Sequence, residues 1–110
     1  MNIYDTANNL AKEIRESSEY LEFSRIKKEI AADSDRKEKL ERFEKLRYEL
    51  QLEAMQSGKQ DSGKMQTLQE EYSDLISDEQ IRKYFDAETR FNVIIADVNK
   101  IIAEAVKEVL

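Results

Sequence analysis

The sequence predicts an all-α protein: a bundle of about five helices with a long helical hairpin and a long C-terminal helix, dimerising. Three observations predict this class. The 110 residues include no Pro and only two Gly, so the residues that end helices and turn corners are nearly absent. Apolar residues recur every three or four positions along most of the chain, which is the helical period. Charged residues make up 38% of the chain and interleave both signs, as solvated helix faces do. The length suits a single domain covering 1–110.

The spacing predicts a first helix from Ile3 to Glu16, with Asn2 as its N-cap and Ile3, Ala7, Leu10, Ala11 and Ile14 as one apolar stripe. Ser17-Ser18 interrupts the pattern, and Ser18 is expected to cap a second helix, Glu19 to Ala31, striped by Phe23, Ile26 and Ile30. Asp33 is the next good cap. It opens a third helix to about Gln56 whose positions Leu40, Phe43, Leu46, Leu50 and Ala54 approach a heptad seam. A second row, Tyr48, Leu52 and Met55, widens the apolar arc and predicts a second neighbour for this helix.

Residues 57–63 hold both glycines and read as the tip of a helical hairpin. Gly58 suits the left-handed residue that closes a helix, and Asp61 or Ser62 can cap the next, expected from Lys64 to Ile76. Ser77 and Gln80 have capping-box spacing ahead of a last helix from Asp78 to about Val109. Its seam is Ile81, Tyr84, Glu88, Phe91, Ile95, Val98, Ile102, Ala105 and Val109, flanked by Phe85, Ile94, Ile101, Val106 and Leu110. This flank is too apolar for one small helical layer to cover, and a contiguous patch of several hundred Å² exceeds what monomers usually expose. A homodimer through this helix is therefore expected, two-fold pairs being the commonest solution. Phe91, Ile95, Val98 and Ile102 are the expected interface, with Phe43, Leu46 and Leu50 packing against them.

Chemistry-bearing motifs are scarce. The chain has no His, which removes the commonest general base and the His ligands of helix-bundle metal sites, and no Cys, which removes disulfides and thiolate sites. Gly58 to Lys64 matches the Gly-x-x-x-x-Gly-Lys spacing of a phosphate loop, but Met65 stands where a magnesium-binding hydroxyl belongs and no strand precedes it. Glu88 sits on an apolar seam. It is read as an ion-paired register residue, with Arg90, Lys83 or an Arg of a facing helix as partner, rather than as a proton-transfer acid. Asn92 and Asn99 are read as register-setting, and Tyr72, Tyr84, Phe85 and Phe91 as core. No catalytic residue, cofactor or metal site is expected.

The net charge of −6 lacks the basic stripe a nucleic-acid surface needs; even Arg36–Arg47 alternates with Glu38, Glu41 and Glu44. No apolar run approaches the ~20 residues of a membrane span, the last helix is too evenly mixed in charge to lie on a membrane, and no secretory signal is evident. A cytoplasmic location is the resulting expectation.

The run Ala87-Glu88-Thr89-Arg90-Phe91-Asn92, then Asp97-Val98-Asn99-Lys100-Ile101-Ile102, resembles the C-terminal helix of the YlbF/YmcA family of bacterial helical proteins. The opening Ile3-Tyr4-Asp5 with Ala7, Asn9 and Leu10, and the stretch from Glu19-Tyr20 to Asp33, are similar to its YheA-like branch. The resemblance implies a dimeric bundle of long helices. It also implies kinship with proteins that act, with a third protein, as a regulatory complex in competence, sporulation, biofilm formation and RNA processing, a complex that carries iron–sulfur clusters. A chain without Cys has no ligands for such clusters. The expected function is a non-catalytic regulatory adaptor that binds itself and other proteins; the alternative is a structural or chaperone-like protein holding apolar segments in a groove.

Overall fold

The computed structural model describes residues 2–110. Five helices follow one another: α1 (Ile3–Glu16), α2 (Ser18–Ala31), α3 (Ser34–Ser57), α4 (Ser62–Ile76) and α5 (Glu79–Val106). The all-helical class read from the spacing is the one the chain adopts.

Side-chain caps set most boundaries. Asn2 Oδ1 accepts the Tyr4 N–H at 2.8 Å and opens α1. Between α1 and α2 the backbone becomes extended at Ser17 (φ −66°, ψ 148°). The Ser17 hydroxyl donates to the Ile14 carbonyl at 2.6 Å and accepts the Tyr20 N–H at 3.2 Å. Ser17, not Ser18, therefore closes one helix and caps the next, because the residue with extended backbone is the one whose oxygen can turn back onto the third N–H. Ser18 donates instead to the Glu19 carboxylate at 2.8 Å.

Asp33 Oδ1 accepts the Asp35 and Arg36 N–H groups at 3.1 and 3.2 Å and starts α3. Gly58 ends it with φ 73°, a left-handed conformation that costs a residue without Cβ little. Asp61 caps α4 by accepting the Lys64 N–H at 3.0 Å, so α4 begins two residues before the expected Lys64.

The predicted capping box at Ser77–Gln80 does not form. The Ser77 hydroxyl donates back to the Asp74 carbonyl at 2.5 Å and so finishes α4, while Asp78 Oδ1 accepts the Gln80 N–H at 3.0 Å and starts α5. The Gln80 amide donates to Glu29 Oε2 at 2.7 Å rather than returning to the cap. Helix α5 ends at Val106, three residues short of the expected Val109.

Two compact units divide the chain: Met1–Lys27 with Tyr84–Leu110, and Lys28–Lys83. In the second unit α3 and α4 form the expected hairpin around Leu40, Phe43, Leu50 and Leu75, all buried, and the Phe43 and Tyr72 rings lie 5.9 Å apart. Ile30 and Ile81 are buried in the same unit. The second row on α3 is mostly open: Tyr48 and Met55 are exposed and Leu52 is half-buried. At 100° per residue this row falls on the side of α3 opposite Leu50, so the hairpin partner cannot reach it. In the first unit an aromatic cluster joins α2 to α5. Phe23 stands 5.3 Å from Tyr84 and 6.0 Å from Phe91, and Tyr20 meets Phe91 edge-on at 5.8 Å. Ile26, Tyr84, Phe85 and Ala87 are buried there. Such ring pairs contribute roughly 0.5–1.5 kcal/mol each beyond their buried area.

An ion pair closes the base of the hairpin unit. Arg36 Nε donates to Asp78 Oδ2 at 2.7 Å. The guanidinium holds the Asp78 carboxyl below its ordinary value of 3.8, outweighing the opposing effect of burial. A carboxyl whose pKa is depressed by folding adds stability that is complete above the unfolded value and disappears as pH falls through the folded one.

Two measurements test this account. Ile26→Ala and Ile81→Ala lose nearly enclosed side chains and should lower unfolding stability in urea by about 2–4 kcal/mol, whereas Met55→Ala should stay within about 0.5 kcal/mol. Asp78→Asn keeps a cap but loses the charge. Its urea midpoint should fall less than that of the parent chain as pH drops below about 4, because the parent alone gives up the ion pair as Asp78 takes up a proton.

Candidate protein-interaction site

The α5 seam changes character along its length. Ile81 and Tyr84 are 1% and 4% exposed, Glu88, Phe91, Ile95 and Val98 are half-buried, and Ile102 is 53% exposed with Ile101 beside it at 70%. One apolar stripe thus begins in a core and ends in solvent. Helix α1, in the same unit, carries a strongly one-sided stripe yet buries no residue. Ile3 and Tyr4 are 81% and 78% exposed, while Leu10, Ala11 and Ile14 are half-buried.

The residues expected at an interface separate into two groups. Phe91, Ile95, Val98 and Ile102 share one stripe of α5, with Phe91 held by the Tyr20 and Phe23 rings and Ile102 open. Phe43 and Leu50 are enclosed by the α3–α4 hairpin and Leu46 is half-buried there, so they have little surface to offer a second chain. Their seam spacing is real, but its partner is α4. The open ends of α1 and the exposed Ile101 were not expected as interface residues. The α1 stripe was visible in the sequence; periodicity does not say whether a stripe finds a partner within its own chain.

Polar residues edge the face. Asn92 and Asn99 are exposed beside the seam, and Lys107 pairs with Glu104 at 3.0 Å. Arg90, considered for Glu88, donates instead to Glu22 Oε1 on α2 at 3.0 Å, tying the two helices together beside the aromatic cluster. Glu88 itself is half-buried.

The phosphate-loop spacing has a structural explanation. Lys64 Nζ donates to Glu53 Oε1 at 2.7 Å, and Glu53 Oε2 accepts the Asp61 N–H at 3.1 Å. The lysine's pKa is raised by Glu53 and that of Glu53 is lowered by Lys64, each mainly through this hydrogen bond. The segment joins two helices and its charge serves the hairpin turn. Among the described residues no cluster of three or more metal-ligating side chains occurs, and no helix is long and apolar enough to cross a membrane.

The sequence profile of the family described as "Control of competence regulator ComK, YlbF/YmcA" matches residues 3–107. The chain belongs to this family. A UPF0342 protein of Alkalihalophilus pseudofirmus is 39% identical over 108 residues, covering 98% of this chain and 92% of the relative. One from Desulfitobacterium hafniense is 37% identical over 110 residues, covering 100% and 89%. The solved structure of YheA from Bacillus subtilis superposes with a TM-score of 0.73 at 24% identity, covering all of both chains, and shares the fold. The YlbF/YmcA family is thus linked by its description to control of a regulator.

Removing the Glu53 carboxylate should loosen the hairpin tip. In Glu53→Ala, amide exchange at Asp61 and Lys64 should quicken relative to the parent chain, while exchange at Ile26 and Ile81 stays unchanged.

Proposed function

We propose that the protein is a non-catalytic, cytoplasmic regulatory adaptor that acts as a homodimer through α5 and binds other proteins in that form. The observation that carries this reading is the distal half of the α5 seam, half-buried at Ile95 and Val98 and exposed at Ile102. An apolar stripe continuous with a core but exposed at its far end is a surface that gains by meeting another chain. Membership in a family described by control of ComK supports a regulatory setting for that contact. The side-chain chemistry supports a non-catalytic role. The chain has no His, and among the described residues no polar or charged residue is buried, whereas tuned acids and bases depend on such burial.

Sedimentation equilibrium at micromolar concentration should find a dimer, and Ile102→Asp should shift it to monomer; a monomeric parent chain overturns the homodimer. In a bacterial host that carries ComK, deleting the gene should change ComK-dependent transcription. The intact gene should restore it and the Ile102→Asp form should not. Unchanged transcription on deletion overturns the regulatory assignment.

A further inference from the structure

We infer that α1 is an equal half of the self-association surface, so that two copies close a four-helix bundle from α1 and the distal part of α5 of each. This deepens the homodimer reading and rests on it. Three observations lead here. The stripe on α1 has no buried residue, although Ile3, Ala7, Leu10 and Ile14 lie on one face. A helix this one-sided is stable in water mainly when its apolar face is covered. The open stretches also match in length: Ile3 to Ile14 on α1 and Ile94 to Ala105 on α5 each run about 16 Å at 1.5 Å per residue.

The exposed area points to a second copy as the occupant. Ile3, Tyr4, Ile101 and Ile102 alone expose on the order of 600 Å² per chain, against about 800 Å² per partner in a standard specific interface. The half-buried Leu10, Ile14, Ile95 and Val98 supply the remainder. A single stripe on α5 covers much less than this. Two stripes from each copy form a self-complementary face that a two-fold axis closes. The extended backbone at Ser17, locked by its three hydrogen bonds to Ile14 and Tyr20, holds α1 at a fixed angle to α2 and so presents the stripe ready-made.

The test compares three charge insertions at positions already in solvent, so that none removes core packing: Ile3→Glu with Tyr4→Glu on α1, Ile101→Glu with Ile102→Glu on α5, and Met55→Glu on the hairpin. Circular dichroism checks that each keeps its helix content. By sedimentation, the α1 and α5 pairs should each weaken the dimer by at least about tenfold, and Met55→Glu should leave it intact. If the α5 pair dissociates the dimer and the α1 pair does not, the role given to α1 is overturned while the homodimer stands. If only Met55→Glu dissociates it, the contact lies on the hairpin and both placements are wrong. A parent chain that sediments as a monomer removes the underlying homodimer and this inference with it.

Discussion

A 28-residue helix is about 42 Å long, and a chain of this size cannot lay its own apolar surface along all of it. This limit governs the rest of the structure. The proximal part of α5 is spent on cores: Ile81 is enclosed, Tyr84 meets the Phe23 ring of α2, and Phe85 packs edge-on against Tyr84. The distal part ends exposed, and α1, in the same unit, has an apolar stripe of its own with no residue buried. The same period that builds the core therefore runs past it. No change in sequence pattern marks the point where Phe91 is held by aromatic neighbours and Ile102 is not.

That continuity explains which parts were legible in the sequence. Asn2, Asp33 and Gly58 were readable because each has a chemistry that helix ends use, and each acts within four residues of itself. Ser17 against Ser18, and Asp78 against Ser77, were not decidable in the same way. Both members of each pair can cap; Ser17 wins through its extended backbone, and Asp78 through partners far along the chain. Arg36, 42 residues away, grips Asp78, and Glu29, 51 residues away, draws off the Gln80 amide that a capping box would need. The site divides along the same line. The α5 stripe was visible as a stripe, but the fate of Phe43 and Leu50 was not, since spacing reports that a face is buried and not what buries it.

The comparison with YheA fits this view. At 24% identity over the full length the fold is shared, because helix caps and apolar spacing tolerate wide substitution as long as period and volume are kept. Groups that ligate a cofactor do not tolerate it. The absence of Cys means that iron–sulfur ligation through thiolates cannot belong to this chain, whatever other family members do. What remains common is the fold.

An open apolar face is also a hazard, and the residues around it limit that hazard. Asp97, Lys100, Glu104 and Lys107 follow the seam on its outer side with both signs, and Asn92 and Asn99 stand a heptad apart at its edge. A rim of this kind penalises any contact that slides off the stripe, since it would strand a charge or an amide without water. The net charge of −6 adds a long-range repulsion that indiscriminate association must overcome. Only a contact that covers the whole stripe at once regains enough apolar area to offset both terms. In the proposed homodimer, this arrangement would reward one extended, well-registered partner over many small ones.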